Sequence, residues 1–173
     1  GTSYLCQNLT ISDSEFLSNT AVSGNGGAVE VQLPGGDLEK VIFSNLTFTG
    51  NRAGGNGGAV AFSENPSSYK LSPKIDLLEA TECSFTENHA DGDGGAWYLT
   101  GRNSGTEKLV FTQTSWVKNS AGNQGGAVML AAGWRYKDIL SGNLQATWEG
   151  GLFEANSAGS DGGALFANQW QVK

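Results

Sequence analysis

"FTGNRAGGNGGAVAF", residues 48–62, sets an aromatic residue, an asparagine and a glycine-rich run directly ahead of a short apolar segment. Glycine this dense costs backbone entropy on folding and needs a reason. A phosphate-cradling loop would be one, but "GGNGGA" lacks the Lys-Ser/Thr ending and no helical pattern follows it. The better reason is that the same words return along the chain.

Five copies are present: "FLSNTAVSGNGGAV" from Phe16, "FTGNRAGGNGGAV" from Phe48, "FTENHADGDGGAW" from Phe85, "WVKNSAGNQGGAV" from Trp116 and "FEANSAGSDGGAL" from Phe153. The Gly-Gly-Ala units begin at Gly26, Gly57, Gly94, Gly125 and Gly162, so the spacings are 31, 37, 31 and 37 residues. Short runs rich in Val, Leu, Phe, Trp and Tyr flank each copy, and Gly, Asn, Ser and Asp mark the corners, which is the pattern of strands and turns. No 3.6-residue periodicity is sustained. Each repeat offers about three short strands and three turns. It cannot bury its apolar face alone and must stack on its neighbours. The expectation is an all-β parallel β-helix, a single segment over residues 1–173 with about five coils of 31–37 residues, rising ~4.8 Å per coil.

Composition agrees. Of 173 residues 26 are Gly and three Pro, which suits many turns rather than a linker. A formal charge of −7 leaves no electrostatic footprint for nucleic acid or anionic lipid. No apolar run reaches the ~18 residues needed to cross a bilayer, and no secretory leader opens the sequence, so no membrane insertion of this segment is expected.

In a stack of coils, equivalent residues form columns. Phe16, Phe48, Phe85, Trp116 and Phe153 should make an inward aromatic stack. Asn19, Asn51, Asn88, Asn119 and Asn156 should sit at a bend, taking the left-handed conformation and bonding amide to amide between coils. Aspartate could not replace them, because ionised carboxylates only accept. The Gly-Gly pair should supply a corner of positive φ or close approach.

These words resemble those of the chlamydial polymorphic membrane proteins, which carry many copies of Gly-Gly-Ala-(Ile/Leu/Val) and Phe-x-x-Asn. Phe16 to Asn19, Phe48 to Asn51, Phe85 to Asn88 and Phe153 to Asn156 fit the second word; Gly26 to Val29, Gly57 to Val60, Gly125 to Val128 and Gly162 to Leu165 fit the first. Trp116 and Trp97 depart from it. The resemblance implies a right-handed β-helix from an autotransporter passenger, carried outside the cell by a separate outer-membrane barrel and acting as an adhesin on a host or neighbouring surface protein or glycan.

For chemistry, the column before Gly-Gly-Ala reads Asn25, Asn56, Asp93, Gln124, Asp161. Asp93 and Asp161, two coils apart at ~9.6 Å, lie at the outer edge for an inverting glycosidase pair. "DGDGG" around Asp91 and Asp93 lacks the further ligands of a calcium loop. A solvated polar corner is the expectation. His89 is the only histidine, and neither a Ser-His-Asp arrangement nor a two-His metal site is expected. No cofactor is implied. Cys6 and Cys83 lie two repeats apart, too far for a disulfide, with Cys83 expected as a buried thiol. Trp134, Tyr136, Trp148 and Trp170 lie between the repeated words, either as platforms for a sugar or protein or as extra core. Asn8 and Asn45 head glycosylation sequons that matter only in a eukaryotic secreted protein. The insertions "SENPSSYKLSPK" from Ser63 and "AAGWRYKDILSGNLQ" from Ala131 should share one side of the solenoid. The reading is a non-catalytic surface domain for adhesion or display. The rival readings are an extracellular filament subunit self-associating through its coil ends, and a carbohydrate-active lyase or hydrolase.

Overall fold

A computed structural model of the chain describes residues 8–33, 38–64, 75–101, 106–132, 145–168 and 171–172. Among them are nineteen β-strands and no helix, hence none long and apolar enough to cross a membrane. The third coil shows the plan: Ile75–Thr81, Ser84–Thr86, His89–Ala90 and Trp97–Gly101 follow one another as four strand segments, one more than the repeated words suggest. Each segment pairs in parallel with its counterpart one repeat away, giving one nine-stranded and two five-stranded sheets. In the first two coils the leading segments run together as Asn8–Leu17 and Leu38–Thr49. Gln171–Val172 pairs with Gln145 and Ala146 and begins a further coil. The architecture is a parallel β-helix.

The register is the one the repeated words impose. Phe16 is the partner of Phe48, Phe48 of Phe85, Phe85 of Trp116, and Trp116 of Phe153. Their rings stack nearly parallel, with centroids 4.7, 4.8, 4.2 and 5.9 Å apart. Phe48, Phe85 and Trp116 are fully buried, whereas Phe153 in the fifth coil is 37% exposed and Phe16 partly so.

Corners are made by residues at positive φ, and here one expectation is corrected. The ladder asparagines are not left-handed. The residue before each of them is: Ser18, Gly50, Glu87, Lys118 and Ala155, with φ between 53° and 64°. The asparagine can then hold its amide along the column while its neighbour makes the bend. At the Gly-Gly corner the two glycines divide the task. The first has φ of 60° to 67° in all five copies. The second is pressed against the next coil: a Cβ on Gly58 would run into the carbonyl oxygen of Gly95.

The register partners Leu38, Ile75 and Thr106 each stand 22 residues ahead of the register partners Val60, Trp97 and Val128. The difference between short and long repeats therefore falls in the connection from the fourth segment to the next coil, 34–37 and 102–105 against 65–74. The bulk of both long insertions, 65–74 and 133–144, lies outside the described residues.

The third coil carries the departure at Trp97, and the core accommodates it. Ile11, Phe43, Ala80, Phe111 and Trp148 form a column, in which Ala80 is the one small member. The Trp97 indole fills the room Ala80 leaves, edge-on to Phe43, Phe85 and Phe111 at 5.7, 5.9 and 5.3 Å. A large ring where the repeat elsewhere has Val or Leu is thus compensated within the same coil.

Candidate functional site

The asparagine ladder uses every hydrogen-bonding position of the amide. Asn51 Oδ1 accepts from the backbone N–H and the Nδ2 of Asn19, both at 2.9 Å. Its own Nδ2 donates to Asn88 Oδ1 and to the Phe16 carbonyl, again at 2.9 Å. Asn88 and Asn119 repeat the scheme toward Asn119 and Asn156, donating also to Phe48 and Phe85. Asn51, Asn88 and Asn119 are fully buried, where an unpaired polar group would be costly. This column is scaffold.

A second ladder runs outside the Gly-Gly corner. Asn25 Oδ1 accepts the Asn56 backbone amide, Asn56 Oδ1 that of Asp93, and Asp93 Oδ1 that of Gln124, at 2.8 to 3.0 Å. Gln124 Nε2 then donates to Asp161 Oδ2 at 3.0 Å. The two carboxylates considered as a glycosidase pair are therefore joined by a glutamine.

Beside this corner, the two-residue strands present Thr20, Arg52, His89, Ser120 and Ser157 in one column. Here the structure overturns the expectation that His89 has no serine and carboxylate partners. His89 Nδ1 lies 2.8 Å from Ser120 Oγ, and its Nε2 lies 3.0 Å from Asp91 Oδ1. Arg52 holds the same Asp91 oxygen at 2.6 Å. Sequence separation hid the cluster: His89 and Ser120 are 31 residues apart, and only the repeat length makes them neighbours. The signal was available, since both stand directly after a ladder asparagine. The backbone amides of Ser120 and Gly122 are bonded to Asn88 and Ala90 in the coil before, so neither is free to receive a developing oxyanion.

The other expected positions divide as follows. Trp148 is not an exposed platform: it packs against the core and stacks on Phe111 at 5.1 Å. Trp134, Tyr136, Trp170 and Cys6 lie outside the described residues. Cys83 is a buried free thiol donating to the Thr81 carbonyl at 3.3 Å, and burial pushes its pKa up to about 11. Asn8 and Asn45 are both on the surface. Asn45 sits at a left-handed corner with φ 51° and donates to Asp13 Oδ1 at 2.8 Å, which holds the Asp13 carboxyl below its ordinary pKa.

Two stretches, 45–63 and 82–96, match the Chlamydia polymorphic membrane protein repeat. The chain is 31% identical over 154 residues to a probable autotransporter, YfaL, of Escherichia coli strain K12. That alignment covers 82% of this chain and 11% of the relative, so the chain spans about a tenth of the relative's length. No solved structure matches.

Proposed function

We propose that this chain, which carries repeats of the chlamydial polymorphic membrane protein type, is a surface-displayed segment of an autotransporter passenger and works as an adhesive β-helix. It holds its partner by contact and does not turn over a polysaccharide. The partner is a protein or glycan on a host or neighbouring cell, and the segment stands outside the outer membrane.

The observation that carries the reading is the contrast between the two faces of each strand. The aromatic, asparagine and Gly-Gly columns repeat from coil to coil, while an outward column beside them does not. One exposed or half-buried column runs Thr20, Arg52, His89, Ser120, Ser157. A constant frame under a changing surface suits display, because outward residues can vary without disturbing the columns that hold the fold.

The test is retention. Beads coated with the purified chain should be held on cell monolayers or on immobilised glycans, and soluble chain should compete them off. Retention no better than that of uncoated beads would refute the adhesive reading, and bead-to-bead clumping alone would replace it with self-association. The enzymatic rival is tested by viscosity loss across a polysaccharide panel. Depolymerisation that disappears in Asp93→Asn or Asp161→Asn would overturn the assignment.

A further inference from the structure

We infer that Ser120 is an activated acyl acceptor, with His89 as its base and Asp91 as the positioning residue, so that this face of the coil can capture an ester covalently. The inference goes beyond adhesion and does not depend on it, since it concerns the reactivity of one hydroxyl.

The argument starts from the backbone. Ser120 and His89 are register partners in adjacent parallel strands, fixed between the left-handed corner residue before each ladder asparagine and the glycine turn that follows. Their side chains therefore share one column at the inter-strand spacing of ~4.8 Å, and the 2.8 Å Oγ to Nδ1 contact follows from the coil itself. Asp91 stands two residues beyond His89 and reaches back to Nε2. Arg52, one coil away on the other side, pairs with the Asp91 oxygen and holds the carboxylate in place. With the imidazole proton on Nε2 facing Asp91, Nδ1 is left as an acceptor aimed at the Ser120 hydroxyl. Nucleophile, base and orienting carboxylate within hydrogen-bond reach are the geometric requirements for an activated serine, whatever the fold around them.

The same geometry limits the chemistry. The side chains of His89 and Asp91 are 34% and 49% exposed, so an electrophile reaches them from solvent without a pocket. The backbone amides of Ser120 and Gly122 are already bonded to the coil before and supply no oxyanion donor, so unactivated amides are outside its range. The substrate class is an ester with a good leaving group. Ser120 Oγ attacks the acyl carbon and its proton passes to His89 Nδ1. The carbonyl re-forms as the C–O bond to the leaving group breaks, and the departing oxygen takes the proton from His89. The acyl group remains on Ser120 as an ester.

The test uses p-nitrophenyl acetate on the intact chain, with nitrophenolate release followed by absorbance and the acetyl group located by peptide mass spectrometry. Ser157, in the same column but with no histidine beside it, is the internal reference. The expected result is one acetyl group per chain on Ser120, acquired roughly 10²-fold faster than on Ser157, with the advantage lost in His89→Gln. Asp91→Asn should keep the fold and slow the reaction, and Asp91→Glu should recover part of the rate, because a carboxylate again orients the imidazole. A merely structural Asp91 would leave the acylation rate of the folded Asp91→Asn chain unchanged. Acetylation of Ser120 no faster than of Ser157, or undiminished in His89→Gln, would overturn the inference. Because adhesion is read on beads and acylation by mass, either result can fail without the other.

Discussion

At the residue scale, the asparagine ladder is the feature most dependent on one chemical group. Asn88 is fully buried, and its Nδ2 supplies both the Phe48 carbonyl and Asn119 Oδ1. Asn88→Asp removes both donors and sets a carboxylate against an amide oxygen. We expect a loss of roughly 3–5 kcal/mol in urea unfolding at neutral pH, smaller in acid as the new carboxyl protonates. Asn19→Asp, in the exposed first coil, should cost less than half of that. Cys83 gives a second expectation. Its pKa is raised to about 11 from an ordinary value near 9 by burial, so the folded state holds the proton more tightly than the unfolded chain. Its contribution is intact below pH 9 and is lost as the pH rises through 11, a loss of about 2–3 kcal/mol. Measured against Cys83→Ala, the wild-type chain should lose this extra stability over that window. Parallel pH profiles for the two chains would contradict it. The ladder and the buried thiol were legible in the sequence because each rests on a repeated word or on its parity within a strand. The left-handed residue was not, since Ser18, Glu87, Lys118 and Ala155 share no chemistry that marks them as a bend.

At the scale of the strand and the coil, compensation within a layer is the distinctive result. Trp97 and Ala80 come from different sheets, yet each has the size the other requires. Trp97→Val should open a cavity and cost about 3 kcal/mol, and Ala80→Phe should overpack and cost about 1–3 kcal/mol. The double variant should be less damaged than the sum, with a coupling of about 0.5–3 kcal/mol measured by chemical denaturation. Strict additivity would mean that the two residues do not share one space. The sequence marked Trp97 as a departure from its word but could not name the partner, because the small residue lies 17 positions earlier, outside any repeated motif. The Ser120, His89 and Asp91 cluster was missed for a related reason. Its members are ordinary surface residues until the coil height brings them together.

At the scale of the whole molecule, the repeat length is the one quantity from which fold, ladders and candidate chemistry all follow. The glycine-rich words made the stacking legible, and the alternation of 31 and 37 residues resolved into an equal coil with a variable connection at one corner. The number of strand segments per coil was harder to read, because two segments merge in the first two coils and separate later. Cross-linking across the column beside the aromatic stack tests the register directly. Thr49 and Thr86 are outward partners in adjacent coils, and Val117 is the partner of Thr86 one coil further on. In a chain with Cys6 and Cys83 replaced by alanine, paired cysteines at 49 and 86 fall within the ~4.4–6.8 Å a disulfide requires between α-carbons, whereas 49 and 117 stand ~9.6 Å apart. Rapid oxidation of the 49/86 pair with none of the 49/117 pair is the expected result. Cross-linking of 49 to 117, or failure of 49 to join 86, would contradict the stacking on which everything else is built.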